Sequence, residues 1–243
     1  MSAAGTATIW HDVECGAYAA DLPLWEDLAE RAGGPVLELG CGTGRVALHL
    51  ARRGHEVIGV DCDAALLAAL GERSAGLPVR TVEADARRLE LDDQVALALA
   101  PTHLLQLLPA SEDRVEALRR VAAHLRPGSQ LAAAIIESMP EPDGSPPPLP
   151  DVREVDGWVY SSLATEAAVA PGEIVVRRLR QAVSPAGELS EEPNEVRLAT
   201  FPAAQLEAEG MLAGLTPVAR HEIGPTDLHV GSLVVVLARE GDA

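Results

Sequence analysis

The sequence predicts an α/β fold: a mostly parallel sheet with a small antiparallel sheet inserted into it. Three observations carry this. Short apolar runs alternate with amphipathic stretches, the pattern of strands linked by crossover helices. A glycine-rich turn closes the first of those runs. Late in the chain a proline-rich segment gives way to strand-like alternation before the α/β pattern resumes. The 243 residues, 47% of them hydrophobic, suffice for one domain spanning 1–243 and leave little for a second. With aromatics at 2%, the core must be built from Leu, Val, Ile and Ala.

In chain order, residues 1–33 read as an N-terminal helical cover. Val36–Leu39 is an apolar strand ending in glycines, and Arg45–Arg53 a helix with Val46, Leu48, His49 and Leu50 available for packing. Glu56–Val60 and Val79–Glu83 are the second and third strands, with a helix over Ala64–Arg73 between them. Val95–Leu99 is the fourth. Ser111 opens a helix as its expected cap, with Glu112 and Asp113 at the positive end of the dipole. Val115, Leu118, Val121, Ala122 and Leu125 recur on one face, and Arg126-Pro127-Gly128 stops it. Leu131–Ile136 is the fifth strand. Met139–Pro150 holds too much proline for a helix or central strand and reads as a loop or lid. Arg153–Leu163, Glu173–Val183 and Glu195–Phe201 look like three antiparallel strands, so 138–201 reads as an inserted β subdomain. A helix over Pro202–Glu209, ended by Gly210, and strands Leu215–Ile223 and Ser232–Ala238 complete the chain.

Composition excludes several partners. A formal net charge of -18 and a pI near 4.7 repel phosphate backbones and anionic lipid, so neither nucleic acid nor membrane is expected. Cys15, Cys41 and Cys62 form an odd set without paired spacing, which argues against a disulfide framework and for a reducing, cytoplasmic setting. The first residues carry neither a basic start nor an apolar run, and no stretch is apolar enough to span a bilayer. No acidic or Cys/His cluster has metal-ligand spacing, so no metal is expected.

The chemistry is concentrated in Val36-Leu37-Glu38-Leu39-Gly40-Cys41-Gly42-Thr43-Gly44. A dinucleotide fingerprint needs a glycine where Arg45 stands, and a P-loop needs a lysine that the chain lacks. The compact turn therefore suits a ligand without a pyrophosphate. Asp61 ends the second strand, where an acid accepts hydrogen bonds from ribose hydroxyls. Glu83-Ala84-Asp85-Ala86 ends the third, with Asp85 placed for an adenine amino group. All lie at carboxyl ends of strands near the switch point, where open α/β sheets bind ligands.

VLELGCGTGR, VIGVDCD and EADA resemble the first three motifs of class I S-adenosylmethionine-dependent methyltransferases, and LRPGSQL resembles the turn before that family's fifth strand. The resemblance implies a Rossmann-like seven-stranded sheet of order 3-2-1-4-5-7-6 with strand 7 antiparallel. It implies S-adenosyl-L-methionine as cofactor. Gly40, Cys41 and Gly42 would line its methionine and ribose, with Gly44 completing the turn and Glu38 orienting it. Asp61 would bind ribose with Cys62 beside the adenosine, and Asp85 and Ala86 would read adenine. Ala100 would lie near the methionine, and Tyr18 on the N-terminal cover would reach the cofactor. The Asn/Asp-Pro-Pro-aromatic tetrad of base-amine methyltransferases is missing after strand four, which directs the reading to O- or N-methylation of a small molecule. The insertion resembles the substrate covers of glycine and amino-sugar N-methyltransferases; its alternative use is a homodimer interface. His103, His229 and Glu137 are the candidate bases, while His11, His49, His55, His124 and His221 receive no role. Two alternatives stand beside methyl transfer: an aminopropyltransferase, and a cofactor-binding protein without catalysis.

Overall fold

A computed structural model describes residues 3–139, 149–226 and 229–241. Its main sheet comprises β1 (Val36–Leu39), β2 (Val57–Asp61), β3 (Val79–Glu83), β4 (Val95–Ala100) and β5 (Leu125–Ile135), with β10 (Leu215–Ile223) and β11 (Ser232–Arg239) at one edge. The order is β10-β11-β5-β4-β1-β2-β3, and β11 runs antiparallel to both neighbours. This is the expected seven-stranded Rossmann-like arrangement. Helices cover both faces, so the central strands are apolar throughout rather than alternating. Leu37 and Leu39 of β1 face one layer with Leu118 and Val121 of α5 (Ser111–His124) and Leu206 of α6 (Ala203–Leu212). Val36 faces the other, with Trp25 and Leu28 of α2 (Leu22–Ala32), Val46 and Leu50 of α3 (Arg45–Ala51), and Leu70 of α4 (Ala64–Arg73). Among the described residues no helix is long and apolar enough to cross a membrane.

The insertion is a separate four-stranded antiparallel sheet: β6 (Asp151–Val155), β7 (Trp158–Ala170), β8 (Glu173–Val183) and β9 (Leu189–Ala199). The run expected as one strand from Arg153 is thus two, folded back at Asp156 and Gly157, whose φ values of 50 and 77 are both left-handed. The Pro-rich loop or lid falls, from 140 to 148, outside the described residues. The N-terminal cover is α1 (Ala3–Cys15) followed by α2, joined by a turn that contains Tyr18. Trp10, Tyr160 and Ala182 share a small core that seats α1 on the inserted sheet.

Two local expectations fail for tertiary reasons. Ser111 is the first residue inside α5, not its cap; its hydroxyl donates to Glu209 of α6 at 2.7 Å. Glu209 is buried and also receives Arg114 through Nε at 2.8 Å and Nη2 at 2.6 Å, so an ion pair between α5 and α6 has captured the capping group. Helix α6 continues through Gly210 to Leu212, because Gly210 lies against Leu237: an added Cβ would stand 2.6 Å from its Cδ1. The glycine serves close packing rather than helix termination.

Candidate active site

Beyond β1 the chain turns through Gly40, Gly42 and Gly44, all left-handed at φ 61, 53 and 93. Such backbone is costly for residues with a Cβ. Asp61 at the tip of β2 braces the turn: its Oδ2 accepts the Gly42 amide at 2.8 Å and its Oδ1 the Asp63 amide at 3.0 Å. Glu38 is buried beside the first turn of α3, with the Ala47 amide directed at its carboxyl. Among the described residues its Oε2 has no hydrogen-bond partner. Burial pushes this carboxyl up to about 8, against the partial relief supplied by the nearby Arg45. Cys41 lies in the same turn, but its thiol points into the core against Gly59 and Leu70, and burial raises its pKa.

Asp85 follows β3 and caps a short 3-10 turn by accepting the Arg87 amide at 2.9 Å. The Arg87 guanidinium beside it holds the carboxyl down at about 2. Ala86 is half-buried against the core, Cys62 is exposed next to Asp61, and Ala100 is fully buried at the end of β4.

Helix α1 closes over this edge. The His11 ring lies so near Gly42 that a Cβ there would stand 2.2 Å from Nε2. Its Nδ1 meets Thr43 Oγ1 at 3.1 Å, and that hydroxyl donates to Asp12 at 2.7 Å. Asp12 in turn holds Arg73 of α4 through two hydrogen bonds, at 2.8 and 2.6 Å. Burial lowers the His11 pKa, so the ring is neutral near neutrality.

Between α1, the sheet edge and the inserted sheet lies a cavity of about 250 Å³. Ala164, Ala167, Ile174 and Val176 form its inserted-sheet wall, and Ala134 and Ile136 its floor at the end of β5. Polar groups enter at few points. Arg45 forks onto Asp21 at 2.6 and 2.7 Å and donates to the Tyr18 carbonyl at 2.9 Å, with its guanidinium 5.1 Å from the centre of the Tyr18 ring. The Tyr18 ring packs 4.8 Å from that of His229. Both candidate histidines line the cavity. His103 follows Thr102 in a left-handed pair, φ 55 then 62, which turns the chain sharply after β4. Burial drives its pKa down to about 4, and burial also lowers that of His229.

Glu137 requires correction as a candidate base. It does not line the cavity; its carboxylate accepts the Ala203 amide and caps α6, a helix start that lacks a Ser, Asp or Asn of its own. The structure thus brings Tyr18, His103 and His229 together, groups Gly40, Gly42, Gly44, Glu38 and Asp61 at the adjoining turn, and removes Glu137 from both. The motifs do not single out His11, Asp21, Arg45 or Arg178, all of which stand at the turn or the cavity. Arg45 carried a signal, since it directly follows the glycine turn; the others are assembled only by tertiary packing.

Comparison with known proteins places this geometry. Residues 36–128 match the sequence profile described as a methyltransferase domain. Residues 36–128 carry a methyltransferase domain. A stretch of 96 residues is 34% identical to the cypemycin N-terminal methyltransferase of a Streptomyces species, over 40% of this chain and 39% of that protein. A longer alignment, 29% identical, covers 82% of this chain and 79% of the 27-O-demethylrifamycin SV methyltransferase of Amycolatopsis mediterranei. The chain spans less than half the length of the first curated relatives that it matches. The fold extends further: the sugar N-methyltransferase KedS8 of a Streptoalloteichus species superposes with a TM-score of 0.74, at 20% identity, over 96% of this chain and 92% of its own. That likeness spans the insertion as well as the methyltransferase domain.

Proposed function

We propose that the chain transfers the methyl group of S-adenosylmethionine to the oxygen or nitrogen of a small acceptor held in the cavity. The observation that carries this is the adjacency of the two sites: Arg45 leaves the glycine turn and directly becomes part of the cavity wall. The turn fits the cofactor. Its glycines leave room for close approach, and Glu38 Oε2 is a buried acceptor without a partner among the described residues. Asp61 braces the turn while its carboxylate stays only part-buried at the strand tip. In this reading Asp61 and Cys62 flank the ribose, Asp85 and Ala86 the adenine, and the backbones of Gly40, Cys41 and Ala100 the methionine.

When bound, S-adenosylmethionine supplies a methyl group already activated on a sulfonium, so the protein's work is mainly positioning. Orientation of this kind supplies up to about 7–11 kcal/mol. His103 is neutral at physiological pH and accepts a hydrogen bond from the acceptor's N–H or O–H, keeping a lone pair aimed at the reaction; His229 is the second group able to do so. The apolar face of the inserted sheet excludes water, which favours acceptor cover over a homodimer interface as its role. Three free cysteines fit a cytoplasmic setting. The relatives named for a sugar and for 27-O-demethylrifamycin SV support a small acceptor.

The test is turnover. Incubation with S-adenosylmethionine and a panel of small alcohols, amines and acids should release S-adenosylhomocysteine and leave a methylated product detectable by mass. Cofactor binding without product on any acceptor would favour a binding protein, and aminopropyl transfer from the decarboxylated cofactor would favour the aminopropyltransferase alternative.

A further inference from the structure

The charged groups around the cavity are not equally occupied. Glu14 holds Arg180 in a fork, Nε to Oε1 at 2.7 Å and Nη2 to Oε2 at 2.8 Å, and also receives the Ser162 hydroxyl. Asp21 is forked by Arg45 and receives the Trp25 indole at 2.7 Å. Among the described residues both carboxylates lining the cavity are therefore matched by an arginine. Arg178 differs. It stands on β8 two residues from Val176 and four from Ile174, on the strand face that forms the cavity wall. A single nitrogen, Nη1, makes its protein contacts, to Asp151 at 2.9 Å and Ser162 at 3.3 Å. Among the described residues its Nε and Nη2 have no partner, and neither is sealed from open space. A guanidinium presents two parallel donors in the geometry that a carboxylate accepts.

We propose that Arg178 anchors a carboxylate on the methyl acceptor, so the substrate class is an acid with an apolar body. This rests on the reading of the cavity as the acceptor site. Among the described residues Nε and Nη2 of Arg178 are the adjacent pair of donors left open on the charged lining. Among the described residues no lining carboxylate lacks an arginine, so none of them is open to an ammonium group. The small aliphatic side chains of Ala164, Ala167, Ile174 and Val176 give the apolar body its wall. Arg178 is a specificity-determining residue in this account; it fixes which end of the acceptor lies away from His103.

Calorimetry with three molecules of nearly equal shape tests this: hydrocinnamate, hydrocinnamyl alcohol and phenylpropylamine. Each is titrated into protein saturated with S-adenosylhomocysteine and into protein without it. The acid should bind about ten- to hundredfold more tightly than the alcohol, and the amine most weakly. Arg178→Met should erase the acid's advantage, and Arg178→Lys should keep only part of it, while the affinity for S-adenosylhomocysteine stays unchanged in both. Because Arg178→Met leaves Asp151 without its cation, the double variant with Asp151→Asn is measured alongside, each variant being checked for a cooperative melt. Equal binding of the three molecules, binding by none, or an acid preference that survives Arg178→Met overturns the proposal. Absence of S-adenosylhomocysteine binding would count against the cofactor reading alone, because the titrations without it still decide the role of Arg178.

Discussion

Replacing His103 with Asn isolates the electrostatic cost of burying an imidazole at the cavity. Asn is chosen because residue 103 has a φ of 62, a conformation that Asn tolerates better than most residues. Burial lowers the folded pKa from 6.5 to about 4. The sign follows from which state takes the proton first. Above the unfolded value both states are neutral and the group contributes no pH dependence. As pH falls from 6.5 toward 4 the unfolded chain is protonated while the folded one resists, so stability is lost through that window. At about 1.4 kcal/mol per pH unit, the loss is about 2 kcal/mol at about pH 5 and about 3 kcal/mol once both states are protonated. Urea denaturation of wild type and His103→Asn at about pH 7.5 and about pH 5 measures it. Wild type should lose about 2 kcal/mol more than the variant between the two conditions. The difference between the two proteins removes the contributions of His11, His229 and Glu38, which are common to both. Equal losses would mean that the imidazole is solvated and titrates normally, which would contradict a half-buried His103 held neutral by desolvation.

Other substitutions follow from the same geometry. Arg114→Met leaves Glu209 charged, buried and without its main partner, and should cost about 3–5 kcal/mol in denaturant unfolding, most of it recovered when Glu209→Leu is added. Asp61→Asn should fold and weaken S-adenosylhomocysteine binding about ten- to hundredfold in calorimetry. Asp61→Ala should also lower the melting temperature, because the Gly42 and Asp63 amides both lose their acceptor. Gly42→Ala meets two penalties, a left-handed backbone worth about 1–2 kcal/mol and a clash with the His11 ring. Adding His11→Ala should relieve the clash and not the backbone cost, which thermal melts of the single and double variants will separate.

The glycine turn and the strands around it are legible in the sequence because they are local. A strand buried on both faces reads as an unbroken apolar run, and left-handed turn positions demand glycine in a fixed spacing, as Gly40, Gly42 and Gly44 show. Asp61 and Asp85 are found for the same reason, Asp61 being the last residue of β2 and Asp85 the first polar residue after β3. What escapes local reading is set by partners distant in the chain. The alternation through Arg153–Leu163 hides the hairpin turn, although Asp156-Gly157 is itself a strong two-residue turn signal. Ser111 has the propensity of a cap, but Glu209 captures its hydroxyl from 98 positions away. Glu137 sits at a strand end like a catalytic acid, yet the unsatisfied amide at the start of α6 lies within its reach. The charge pattern of the cavity joins Glu14 to Arg180 across 166 positions, and no spacing within a single element reports it.

The central claim is that the glycine turn, Asp61 and the sheet edge form an S-adenosylmethionine site rather than a dinucleotide site. Titration calorimetry with S-adenosylhomocysteine and, separately, NAD tests it most directly. The account predicts saturable one-site binding of S-adenosylhomocysteine that Asp61→Asn weakens about ten- to hundredfold, and no heat of binding with NAD. Binding of NAD with none of S-adenosylhomocysteine would contradict it.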